Sequence, residues 1–101
     1  MIDGYGPKEA GRRNDGLNIA AREGDPVRAA ADGQVAYAGD DLAGYGQLAL
    51  IRHADGWISA YAHNRRLLVQ EGQSVRQGQV IAEAGSTGGV ETAQLHFEIR
   101  R

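Results

Sequence analysis

Cysteine is absent from the 101 residues, which excludes disulfides, thiolate-bound zinc and thiol nucleophiles. Proline occurs twice, and lysine once, at Lys8. No apolar run approaches the ~18 residues that a membrane-spanning helix needs. No segment sustains a 3.6-residue hydrophobic period, so almost no helix is expected. Positive charge is not in excess. Eleven Lys+Arg against 13 Asp+Glu leave a net charge of −2, which gives no electrostatic support to a nucleic-acid or anionic-membrane partner. No signal peptide is visible.

Glycine, in contrast, is abundant. Fifteen residues is about twice the average usage of ~7%. The glycines punctuate short apolar runs, the pattern of many short strands joined by tight turns. Strands are expected at Leu17–Ala20, Val27–Ala31, Gln34–Gly39, Gln47–His53, Trp57–His63, Leu67–Val69, Gln79–Ala84 and Gln94–Arg100, with a glycine-rich loop over 85–93. Asp55-Gly56 reads as a hairpin turn. Period two places Trp57, Ser59, Tyr61 and His63 on one face of their strand. On the last strand it turns Leu95, Phe97 and Ile99 to the core, where they are expected to pack on Leu48, Leu50 and Ile58, and turns Gln94, His96, Glu98 and Arg100 away. Leu48 and Leu50 alternate with Ala49 and Ile51, so both faces of that strand are expected to be covered.

An internal repeat runs through the chain. Glu23-Gly24-x-x-Val27-Arg28 matches Glu71-Gly72-x-x-Val75-Arg76, Gly33-Gln34-Val35 matches Gly78-Gln79-Val80, and Ala38-Gly39 matches Ala84-Gly85. The expected fold is therefore all-β, one domain over residues 1–101: a two-layer sandwich or flattened barrel built from a duplicated hairpin unit.

The chemistry-bearing candidates are the histidines. His53, beside the Asp55-Gly56 turn, reads as a polar strand residue. His63 and His96 lie at or near strand ends. If their strands share a sheet, both imidazoles reach one surface, where they would suit zinc ligation or a general base with its partner.

Several motifs occur in a specific order: Gly16-Leu17-Asn18-Ile19, Ala29-Ala30-Ala31-Asp32-Gly33-Gln34-Val35, Gly44-Tyr45-Gly46, Tyr61-Ala62-His63-Asn64, Val75-x-x-Gly78-Gln79-Val80-Ile81, Gly85-Ser86-Thr87-Gly88 and Leu95-His96-Phe97-Glu98-Ile99-Arg100. From about Tyr5 to Arg101 the chain resembles the LytM (lysostaphin-type) zinc endopeptidase domain. It is most similar to the degenerate form found in cell-division factors of the NlpD, DipM and EnvC type. The resemblance implies a zinc site written H-x-x-x-D, a histidine after Tyr-Ala, and H-x-H. The first His, the Asp and the last His hold the metal, and the other two histidines handle water and the oxyanion. Here the first ligand position holds Asn14 and the aspartate position holds Asn18. The histidine after Tyr-Ala is His63, and H-x-H becomes Gln94-Leu95-His96. Three of five positions are carboxamides.

Neutral amide oxygens are poor ligands for zinc, and without the metal no water is activated and no carbonyl is polarised. The resemblance therefore implies a pseudoenzyme without zinc or other cofactor. Its degenerate groove, with Asn14, Asn18, Tyr45, Tyr61, His63, Gln94 and His96 as partner-binding residues, would activate peptidoglycan hydrolases, chiefly N-acetylmuramoyl-L-alanine amidases. The resemblance also implies the periplasm of a Gram-negative envelope at the division site, as the C-terminal module of a longer protein. The alternatives are a peptidoglycan-binding module that activates nothing, or an active zinc endopeptidase. A lipoyl- or biotinyl-carrier domain would share the glycine-rich duplicated architecture. It needs a lysine at a hairpin tip, and Lys8 sits in the irregular N-terminal segment.

Overall fold

A computed structural model of the chain describes residues 17–100. Eight strands follow in order: β1 (Leu17–Ala20), β2 (Pro26–Arg28), β3 (Gly33–Gly39), β4 (Gln47–Arg52), β5 (Ile58–Leu67), β6 (Ser74–Val75), β7 (Val80–Ala84) and β8 (Gln94–Arg100). The only helical turn among the described residues is a 3-10 segment at Ala54–Gly56. Every strand pairing is antiparallel. The sheet runs β1-β8-β5-β4-β3-β6, with β2 attached through β7 to β5, and it does not close. The all-β expectation holds.

The repeat is visible as exchanged pairing. The turn before β2 and the turn before β6 each carry a left-handed glycine, Gly24 and Gly72, both at φ 91°. Gly24 N–H donates to Ala84 and Ala84 N–H returns a bond to Asp25. In the same way Gly72 N–H donates to Val35, and Val35 N–H donates to Gln73. Each copy's short strand therefore pairs with the other copy's long one, β2 with β7 and β6 with β3.

β5 is the hub. One edge pairs with β4 along almost its full length. The other edge pairs with β8 from Ile58 to Ala62 and with β7 from Asn64 to Leu67. Because β5 runs on to Leu67, the separate strand expected at Leu67–Val69 does not exist. Trp57 falls outside β5, and the strand expected from Val27 to Ala31 shrinks to Pro26–Arg28. The Asp55-Gly56 connection is the 3-10 turn, with Asp55 at φ 66° and Gly56 at φ 81°.

Apolar residues collect on two sides of β4 and β5. The main core joins Val27, Val35, Ala49, Ile51, Tyr61, Val75 and Ile81, with Leu95 and Phe97 packed against it. On the opposite face, Leu48, Ala60 and Ala62 lie under Tyr37, Tyr45 and Leu50. This corrects one expectation. The inward face of β8 packs on the Tyr61 side, with the Tyr61 and Phe97 ring centroids 5.4 Å apart, and not on Leu48, Leu50 and Ile58. Cross-strand register is the reason: Leu50 stands opposite Ala60, which stands opposite Glu98, so these three share the face that Phe97 leaves.

Tyr61 carries a polar relay through this core. Its hydroxyl accepts from Ala30 N–H at 2.9 Å and lies 2.7 Å from Ser59 Oγ, which lies 2.7 Å from His53 Nε2. His53 Nδ1 donates to the Asp32 carbonyl at 2.7 Å, so Nε2 accepts from Ser59, and Ser59 accepts from Tyr61. His53 is thus a structural histidine tying the turn before β3 to β5. Burial is the main force holding the Tyr61 phenol above its ordinary value of 10.0. Tyr61→Phe should cost about 1–3 kcal/mol in urea denaturation, because it takes the hydroxyl from Ala30 N–H and leaves the buried Ser59 oxygen without its donor. The raised phenol stabilises the fold fully below pH 10, and that contribution is lost as pH rises beyond it. Stability measured against pH should fall on the alkaline side, and Tyr61→Phe should flatten that fall.

Candidate functional site

The site lies on the face of the sheet away from the main core. Register lays it out in rows. Asn18 stands opposite His96, and His96 opposite Ala62. Ala20 stands opposite Gln94. The small side chains of Ala60 and Ala62, both buried, share this face of the sheet. The resulting groove of about 440 Å³ is lined by Asn18, Ala43, Gly44, Tyr45, His63, Val90, Gln94 and His96.

Strict alternation would send His63 to the core side with Tyr61. It reaches the groove because β5 bulges there. Asn64 pairs with Gln47 while Tyr61 pairs with Ala49, so β5 spends one extra residue. His63 takes that residue's left-handed conformation, φ 68°. Its ring centroid lies 6.1 Å from that of His96. The bulge falls where β5 exchanges β8 for β7 as its neighbour.

The left-handed histidine is pinned from several sides. Its N–H donates to Tyr45 C=O at 2.8 Å, and its Nδ1 donates to the Thr87 carbonyl at 2.7 Å. The proton on Nδ1 leaves the lone pair on Nε2. Thr87 Oγ1 accepts from Gln47 N–H and donates to Asn64 C=O, which joins the 85–93 loop to β4 and β5. Gly46 and Gly88 allow the contact. A Cβ on Gly88 would lie 2.5 Å from Gly46 N and 2.9 Å from His63 Nδ1, and both glycines have positive φ.

On β8, His96 is committed at both ring nitrogens. Nδ1 lies 2.6 Å from Asn18 Oδ1, and Nε2 lies 2.6 Å from Glu98 Oε2. Glu98 is buried, and its other oxygen accepts from Arg100 Nε at 2.7 Å. Glu98 first, and the Tyr45 hydroxyl after it, hold the Arg100 guanidinium above its ordinary value. One polar chain thus runs Asn18–His96–Glu98–Arg100 from β1 along β8.

Asn18, Tyr45, His63, Gln94 and His96, all candidates from the sequence, meet in this groove. Tyr61 does not. It is 1% exposed in the main core, because the groove face of β5 is that of Ala60 and Ala62. Asn14 lies outside the described residues. Sequence reasoning missed Thr87, Gly46, Glu98 and Arg100 as site-building residues. Period two had placed Glu98 and Arg100 on the correct face, and Thr87 lay in plain view in the Gly85-Ser86-Thr87-Gly88 motif.

Residues 12–101 match Peptidase family M23, and the chain belongs to that family. Cell division protein DipM of Caulobacter vibrioides is 50% identical over 100 residues, covering 99% of this chain and 16% of that protein. Murein hydrolase activator NlpD of Escherichia coli is 51% identical over 100 residues, covering 99% of this chain and 26% of its own length. The catalytic domain of the antimicrobial peptidase lysostaphin from Staphylococcus simulans superposes with a TM-score of 0.80 at 32% identity, covering 83% of this chain and 64% of that one. The LytM-type resemblance read from the motifs is confirmed. The chain spans at most 26% of the length of these two curated relatives.

The family implies a zinc ion, and the donors that the described residues bring to the groove do not fit one. Two ligands on a tetrahedral zinc, each about 2.0–2.1 Å from it, stand roughly 3.3 Å apart. Asn18 Oδ1 and His96 Nδ1 instead meet at direct hydrogen-bond distance. The Asn18 donor is a neutral amide. No group of three or more His, Cys, Asp or Glu suited to a metal occurs among the described residues. What the groove retains is an oriented imidazole at His63, a second one locked between Asn18 and Glu98, and uncharged amides around them.

Gly88→Ala should destabilise the fold by about 1–3 kcal/mol in chemical denaturation, since it combines a positive φ with a backbone clash. The His63 ring resonances in NMR should shift with it, while those of His53, just past the end of β4, stay in place.

Proposed function

We propose that this M23 domain is catalytically inactive and regulates peptidoglycan hydrolases, chiefly N-acetylmuramoyl-L-alanine amidases, through the degenerate groove. The observation that carries the reading is the direct hydrogen bond between Asn18 and His96, the two groove residues at positions where the family's active members hold metal. Relatives named murein hydrolase activator and cell division protein support the regulatory role. Asn18 and Gln94 offer donors and acceptors without charge. They hydrogen-bond a partner segment at lower desolvation cost than a carboxylate or imidazolium would. The place of action that follows is the periplasm of a Gram-negative cell at the division septum, where murein and its hydrolases meet.

The deciding measurement is dye release from labelled sacculi by a purified amidase with and without this chain. The chain should raise the rate, and alone it should release nothing. Gln94→Arg, which places a cation among the amides, should weaken activation by roughly tenfold or more. A change in the exposed Asp55-Gly56 turn should leave it intact. Equal activation by wild type and Gln94→Arg would remove the groove from the mechanism. Binding to sacculi without any rate increase would replace activation by murein anchoring.

No zinc is expected in the working protein. Metal analysis after purification without chelator should give far less than one zinc per chain. Stoichiometric zinc surviving dialysis would overturn the inactive reading.

A further inference from the structure

Beyond Tyr45 the groove continues into a second depression of about 170 Å³, lined by Leu42, Tyr45, Leu48, Leu50, Ile58, Ala60, Glu98 and Arg100. Its wall is aliphatic, and Leu42 on its rim is 46% exposed. Register adds what the lining does not show. Arg52 stands opposite Ile58, and Ile58 opposite Arg100, so one row of the sheet face reads Arg52–Ile58–Arg100. Neighbouring strands lie about 4.8 Å apart, so the two arginine backbones are separated by roughly 10 Å, with the isoleucine between them. The Arg100 side chain is 52% exposed even though Glu98 holds one edge of it. Arg52 is exposed and makes no ion pair with any described residue.

We propose that this face is the anchoring half of the partner interface, and that it takes a protein segment in which a large aliphatic side chain is followed by acidic residues. The inference rests on the activator reading of the adjoining groove. The aliphatic depression accepts a side chain of leucine or isoleucine size, which removes apolar surface from water. The two guanidiniums at its end are complementary to carboxylates, and no described acid is paired with Arg52. The aliphatic requirement selects a protein over murein, whose stem peptides offer carboxylates and methyl groups but no large aliphatic side chain. Tyr45, lining both depressions, lets one continuous segment run from Arg52 to Gln94.

Panning a random displayed peptide library against the immobilised chain tests this directly. Enriched peptides should carry a large aliphatic residue beside one or two acids, and raised salt should weaken their binding. Arg52→Glu and Leu42→Ser, both at exposed positions, should each weaken it by roughly tenfold. Absence of enrichment, enrichment without that pattern, or unchanged binding in both variants would overturn the anchor. Displacement of the peptides by sacculi, in a manner that Arg52→Glu abolishes, would assign the face to murein and overturn it as well. The activator reading fails separately, if the wild-type chain leaves the amidase rate unchanged. An Arg52→Glu chain that activates as well as wild type removes the anchor alone.

Discussion

The changeover of partners along β5 is the constraint on which the site depends. One strand edge serves β8 for half its length and β7 for the other half, and the register shifts at the exchange. The bulge at His63 absorbs the mismatch. A left-handed non-glycine residue costs of order 1–3 kcal/mol and persists only where its surroundings fix it. Here Tyr45, Thr87 and the Gly46–Gly88 contact do so. The bulge both lets the sheet branch and aims the imidazole, so the position of His63 is a property of the whole sheet.

The Asn18–His96–Glu98–Arg100 chain is the second organising element. Metal-binding histidines ordinarily direct their remote nitrogen to a carboxylate. His96 keeps such a carboxylate in Glu98, while its other nitrogen meets an amide. The buried charge of Glu98 is met by donors on both oxygens, the condition under which a buried carboxylate is tolerable. Asn18, His96 and Glu98 thus form a strap that joins β1 to β8 along the groove wall.

Much of this was legible in the sequence. The motif order gave the family, the glycine spacing gave the strands, and the duplicated Glu-Gly turns gave the repeat. The alternation of β8 placed Gln94, His96, Glu98 and Arg100 correctly, because that strand is regular. The failures cluster where alternation breaks. Tyr61 and His63 are two apart in sequence and were assigned one face, yet an inserted residue separates them to opposite sides of the sheet. A bulge leaves no mark in a hydrophobic pattern, and β5 is covered on both faces, so neither face reads as polar. The packing partner of Phe97 was misplaced for the same reason: Leu50 and Ile51 are both apolar, and only cross-strand register decides which one faces it.

The exchanged pairing has a consequence for the order in which the protein can be assembled. Among the described residues β2 pairs only with β7, more than fifty residues later, and β6 completes β3 from about forty residues away. While the chain is being made, the first half carries an uncovered strand edge until the second half has emerged. Neither half is a folding unit, and the contacts that finish each are distant in sequence, the arrangement associated with slow and all-or-none folding.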